Sequence, residues 1–178
     1  MNDQPIERLK IYTFPSPVLK KKVQPVVNID GKLQQIIEAM AQTMYQAKGL
    51  GLAAPQVGID ARFFIYDVRE KDAPNQLSVL INPRIVEAEG EIISSNEGCL
   101  SVPDYRSDVK RFERILVEGV DRNGAPLRFE LEGFPAIVMQ HEIDHLEGIL
   151  FIDRISALKR NLYKNRILKK LKRESADG

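Results

Sequence analysis

Two histidines and one cysteine are the whole imidazole and thiol inventory of this 178-residue chain. Both histidines fall in one segment, His141-Glu142-Ile143-Asp144-His145. On a helix, residues four apart stand one turn above each other, so two imidazoles at this spacing reach a single metal ion. Glu142 lies beside the first of them, where a carboxylate can accept a proton from a water activated by that ion. The pattern reads as metal-assisted hydrolysis. The competing reading, two surface histidines four apart by chance, is disfavoured by the helical context. A catalytic site usually has three protein ligands and one open position. Downstream, Glu147, Asp153 and Glu174 are candidates for the third; upstream there is Cys99, within Glu97-Gly98-Cys99-Leu100-Ser101. A thiolate is a strong ligand for a borderline metal, which deprotonates the thiol on binding. A lone cysteine is equally a small buried apolar residue, and the residues by themselves leave both readings open.

These side chains need elements to hold them. Pro135 near a first helical position and Gly148 past the end bound a helix from about Pro135 to Glu147 that carries the histidines. An earlier helix is expected from Asp30 to Lys48, with Asp30 as N-cap and Gly49 at C′. Its buried stripe would be Leu33, Ile36, Ile37, Met40, Met44 and Ala47. Short β-rich segments follow at Arg62–Val68, Leu77–Asn82, Arg84–Ile93, Arg114–Val120 and Pro126–Leu131. Asn123-Gly124 joins the last two as a hairpin turn. A third helix is expected over about Ser156 to Arg173. Residues 1–28, with Pro5, Pro15, Pro17 and Pro25, form an irregular arm. The order of elements argues for an α+β fold in one domain, 1–178, with mostly antiparallel sheets packed around the central HEIDH helix.

Composition sets the outer bounds. With 29% charged and 43% hydrophobic residues, the chain reads as a soluble globular domain. Lys plus Arg number 26 and Asp plus Glu 25, which argues against a surface built to bind DNA. No apolar run reaches the 18 or so residues of a membrane span. The start, MNDQPIERLK, lacks a signal-peptide pattern, and Asp3 and Glu7 argue against a transit peptide. One cysteine excludes an internal disulfide and fits a reducing cytosol, so a cytoplasmic location is expected.

Three segments together resemble the peptide deformylases: Gly49-Leu50-Gly51-Leu52-Ala53-Ala54-Pro55-Gln56, then Glu97-Gly98-Cys99-Leu100-Ser101, then Gln140-His141-Glu142-Ile143-Asp144-His145. The family pattern is G-x-G-x-A-A-x-Q, E-G-C-L-S and Q-H-E-x-D-H, and every position matches in order. The resemblance covers nearly the whole chain, and the basic C-terminal helix is similar to that of the bacterial type with a helical tail. It implies removal of the formyl group from N-formylmethionine at the start of new polypeptides. It implies Cys99, His141 and His145 as ligands of one Fe(II), which Zn, Ni or Co can replace; affinity order favours zinc, so ligand chemistry alone does not select iron. It further implies Glu142 as the proton carrier, and the Gln56 amide and Leu100 N–H as donors to the developing oxyanion.

Other residues have readings of their own. Phe134, Ile137, Val138 and His141 share one helix face. They place an apolar wall beside the metal that suits a methionine side chain or simply faces the core; the resemblance adds Leu50. Gly51 lets backbone approach a substrate closely, and the resemblance suggests a peptide lying as an added strand against this segment. Glu97 and Arg111 are expected to pair and brace the Cys99 segment; Asp144 either orients a ligand or is solvated. The C-terminal helix carries Lys159, Arg160, Lys164, Arg166, Lys169, Lys170, Lys172 and Arg173. Its charges either form a solvated face, with Leu158, Leu162, Ile167, Leu168 and Leu171 turned inward, or dock on ribosomal RNA phosphates. Two other functions compete: a zinc endopeptidase with a downstream third ligand, and a structural metal module, which would need four ligands.

Overall fold

The computed structural model describes residues 8–69 and 73–176; Asp3, Pro5 and Glu7 of the arm and the last two residues of the tail lie outside these. The arm runs extended, with one 3-10 turn at Pro17–Lys20. It then enters α1, Gly31–Gln46, where the Asp30 carboxylate accepts from Leu33 N at 2.9 Å. The helix ends in a Schellman motif: Lys48 N–H reaches Tyr45 O at 3.0 Å and Gly49 N–H reaches Met44 O at 2.9 Å. The left-handed residue is therefore Lys48 (φ 56°), not the expected Gly49. Gly49 instead lies close under Leu100, whose Cδ1 would be 2.9 Å from a Cβ at that position.

Among the described residues seven strands follow: β1 Gly51–Ala53, β2 Phe63–Tyr66, β3 Ser78–Glu89, β4 Ile92–Cys99, β5 Val102–Arg111, β6 Arg114–Val120 and β7 Pro126–Glu132. Five form one sheet in the order β1-β2-β3-β6-β7, and β4 and β5 form a separate ribbon. Every pairing is antiparallel. α2 spans Phe134–Leu146 and α3 spans Ala157–Ala176. The fold is α+β.

Two expected strands around Pro83 are one. β3 runs through the proline with a register shift between Ile81 and Arg84, and Asn82 takes φ 50°. The Asn82 side-chain amide bonds Val26 N and O at 2.9 and 2.8 Å, anchoring the arm at the irregularity. Gly90 (φ 69°) then turns the chain, so the expected segment Arg84–Ile93 belongs to two strands, β3 and β4.

The large sheet is buried on both faces where it counts. Phe63 and Ile65 face α1 with Met40, Met44 and Leu52. Phe64, with Leu80 and Val117, faces Ala136, Met139 and Leu146 of α2. Successive strand residues point to opposite faces, which is why β2 reads as an unbroken apolar run. α2 is thus wedged against the sheet by one side, leaving another for the site.

α3 corrects an expectation. Its contact stripe is Tyr163 and Ile167, set among Phe14, Tyr105 and Phe151. Leu158 and Leu162 are 71% and 63% exposed, and Leu168 and Leu171 also face solvent. Of the expected inward stripe Ile167 packs inward and the four leucines do not; the ring of Tyr163 offers the larger apolar surface and lies tilted, 4.7 Å from that of Tyr105.

Candidate metal centre

Cys99 is the last residue of β4, at the turn that leads through Leu100 and Ser101 into β5. Its Sγ lies 3.2 Å from His145 Nε2, and His145 Nε2 lies 3.3 Å from His141 Nε2. Among the described residues these three form the one group of metal-ligating type, all ligand atoms within 4.8 Å of one another. His141 Nδ1 is 2.7 Å from Glu97 Oε1. A carboxylate only accepts, so Nδ1 carries the proton and Nε2 turns a lone pair toward His145 and Cys99. One divalent cation between them would engage all three donor atoms at once. In a tetrahedral site with ordinary metal–imidazole bonds, two ligand nitrogens are about 3.3 Å apart. The donor set fits one borderline divalent ion with a position left over.

Glu142 faces the same cleft from α2. It is buried and its Oε2 has no partner among the described residues. Burial, the dominant influence, pushes its carboxyl up to about 7, a value suited to moving protons near neutrality. Gly51 sets its position: a Cβ on Gly51 would sit 2.3 Å from Glu142 Oε1 and 2.9 Å from its Cγ. The missing side chain at Gly51 is the space that the Glu142 carboxylate occupies, a demand that spacing alone did not reveal.

Gln56 lies in the 3-10 turn Ala54–Val57 that follows β1. Its Oε1 accepts from Ala53 N at 2.8 Å, which aims Nε2 at Ser101 Oγ (3.1 Å) and Cys99 Sγ (3.6 Å). The arm ties these segments together, with Tyr12 N bonding Gln56 O at 2.7 Å and Phe14 N bonding Ser101 O at 2.8 Å.

Behind the ligands lies a charge network. Arg111 grips Glu97 through Nη2 (2.6 Å) and Nε (3.2 Å), and reaches Asp144 through Nη1 at 2.6 Å. Burial alone would raise the Glu97 carboxyl, but hydrogen bonds from His141 and Arg111 overcome it and hold the group at about 2. Asp144 is not solvated; it is buried and also accepts a fork of bonds from Arg154.

The cleft in front of the ligands has a volume of about 940 Å³. Leu50, Gly51, Gln56, Leu100, Phe134, Ile137, Val138, His141 and Glu142 all line it, opposite the β4–β5 ribbon. Ile137 and Val138 are buried, while Phe134 and Leu50 stand half exposed at the rim.

Residues 8–161 match the family described as polypeptide deformylase. The chain belongs to that family. A peptide deformylase of Desulfosudis oleivorans is 56% identical over 164 residues, which cover 92% of this chain and 95% of that one. A peptide deformylase crystal structure from Legionella pneumophila is 42% identical with a TM-score of 0.85, covering 97% of this chain and 99% of that one. The Met-Ala-Ser-bound deformylase of Acinetobacter baumannii, 38% identical, aligns with a TM-score of 0.78 over 84% of this chain and 99% of that one. Among the described residues no helix is long and apolar enough to cross a membrane.

Two site residues of this deformylase were not singled out in the sequence. Ser101 is fully buried and bonds Gln56, and its place in E-G-C-L-S was the signal. Arg154 joins the charge network from beyond α2, with nothing in its local sequence to mark it.

Proposed function

We propose that this chain hydrolyses the N-formyl group from the formylmethionine that begins new polypeptides, releasing formate. The observation that carries the reading is a buried, unpartnered carboxylate, Glu142, facing the same cleft as a three-donor metal site with a position to spare. Cys99, His141 and His145 hold the ion, Fe(II) in the cell with Zn, Ni or Co as replacements. When bound, it supplies Lewis acidity and lowers the pKa of a water from 15.7 to about 7.

The chain's own groups do the rest. Glu142 takes the proton from the attacking water and delivers it to the leaving amine. The Gln56 amide and the Leu100 N–H stabilise the charge that grows on the formyl oxygen. Glu97 and Arg111 fix the His141 ring, the orienting role that carboxylates play behind metal-binding histidines. β1 is the end strand of its sheet, so a peptide can pair with its free edge through backbone bonds that tolerate many side chains. The first side chain then enters the space walled by Leu50, Phe134, Ile137 and Val138. The tripeptide bound to the Acinetobacter protein begins with methionine, which supports this placement.

A formylated Met-peptide should be hydrolysed while its unformylated counterpart is left intact, read as released amine and by mass spectrometry. Cleavage of internal bonds in unformylated peptides would favour the endopeptidase reading instead.

The substrate is made on ribosomes, so we place the protein in the cytoplasm beside them. The α3 helix carries eight basic residues and one acidic residue, Glu174, between Ala157 and Ala176. Its leucines face solvent rather than the core, leaving the helix free to meet a partner. Removing residues 159–178 should abolish salt-sensitive cosedimentation with ribosomes; unchanged, salt-insensitive pelleting would reject docking.

A further inference from the structure

A line of alternating charges runs from solvent to a metal ligand. Arg154 forks onto both oxygens of Asp144, Asp144 accepts from Arg111, Arg111 grips Glu97, and Glu97 accepts from His141 Nδ1. The side chains of Arg111, Glu97 and Asp144 are 1%, 6% and 8% exposed, whereas that of Arg154 is 41% exposed. We infer that Arg154 is a positioning residue for His141, acting through Asp144, Arg111 and Glu97. The inference rests on His141 being a metal ligand, as proposed above.

The argument is one of charge and geometry. Arg111 carries one positive charge between two buried carboxylates, Glu97 and Asp144. Arg154 supplies the second, and its planar fork satisfies Asp144 at two points. Without it, Asp144 has a single cation to draw on. The weakest link Arg111 makes to Glu97 is the 3.2 Å bond from Nε, so a guanidinium pulled toward Asp144 releases Glu97 there first. Glu97 then holds the His141 ring less firmly. A recess of about 230 Å³, lined by Arg154, Asp144, Arg111 and Gln140, opens on the network apart from the substrate cleft. Loss of the Arg154 side chain would let water into that recess and onto Asp144. Groups behind metal ligands typically contribute 10- to 100-fold to affinity, and a residue further removed should contribute somewhat less.

The test uses full-length protein loaded with Co(II), whose thiolate absorption band reports the intact centre. Release to excess chelator is timed for wild type, Arg154→Met, Arg154→Lys and a control, Arg122→Met. Arg122, 36% exposed and so similar to Arg154, pairs with the exposed Glu38, from the β6–β7 turn to α1 and outside the charge network. Arg154→Met should release Co(II) roughly 3- to 10-fold faster, Arg154→Lys should fall between it and wild type, and the control should match wild type. In a Glu97→Gln background, Arg154→Met should add nothing more, since the path is already cut. Release within twofold of wild type, or additive effects in the double variant, overturns the inference while leaving the metal site intact. If Arg154→Met does not fold, the lysine variant decides alone: faster release supports the inference, and wild-type release overturns it. A wild-type protein that shows no thiolate–Co(II) band overturns the ligand reading itself, and this one with it.

Discussion

Glu142→Gln should lower kcat by about 10²–10⁴-fold, the span typical of a positioned proton carrier, with metal content unchanged. The amide keeps the shape of the carboxylate and its place against Gly51, so packing is preserved and only proton transfer is lost. The three ligands come from β4 and from positions 141 and 145 of α2, on either side of Glu142, and none bonds to Glu142. Elemental analysis of the variant beside the wild type, together with single-turnover deformylation, separates the two effects. Turnover within tenfold of wild type would show that another group moves the proton.

Gly51→Ala should be nearly as damaging although it adds one methyl group. The new Cβ would fall 2.3 Å from Glu142 Oε1, far inside contact distance. Something must move. The backbone of β1 is held by pairing with β2 at Gly51↔Tyr66 and Leu52↔Ile65, and Leu52 is fully buried. The end of the Glu142 side chain is the softer element, so the carboxylate swings away. The expected result is a kcat lowered by about 10²-fold or more, as for loss of the proton carrier, with metal retained. The stability cost should be about 1–3 kcal/mol, as for an overpacked interior, read by thermal denaturation. A variant that folds, binds metal and turns over normally would show that the observed position of Glu142 is not the working one.

The parts of this site that were legible in the sequence are those set by local geometry. His141 and His145 face one point because helical spacing makes them do so, and Asp30 caps α1 because a short carboxylate there can reach the N–H three residues on. Beyond Ile92 and Ile93, the β4–β5 ribbon was not read as strands. Its buried positions include Ser94, Glu97, Ser107 and Arg111; Glu97 and Arg111 are polar because they back the metal centre rather than an apolar core. A pattern search that equates burial with hydrophobicity passes over them. β1 was missed because three residues, one a glycine, carry no periodicity. Pro83 split β3 on paper, whereas in the fold Asn82 absorbs the irregularity. The leucines of α3 misled in the opposite sense: helical spacing of apolar residues says that they share a face, not that anything covers it. Arg154 had no local signal, because its partner Asp144 becomes a neighbour only after the chain has turned back on itself.

The contacts that assemble the centre span long stretches of chain. Gln56 meets Ser101 across 45 positions, His141 meets Glu97 across 44, and Cys99 meets His145 across 46. The amino-terminal arm then closes onto Ser101 from Phe14. Such topology folds slowly compared with a helical bundle. A copy still being synthesised carries fragments with no hydrolytic capacity until the α2 segment has emerged and docked. Activity therefore arrives late and all at once in the life of each molecule.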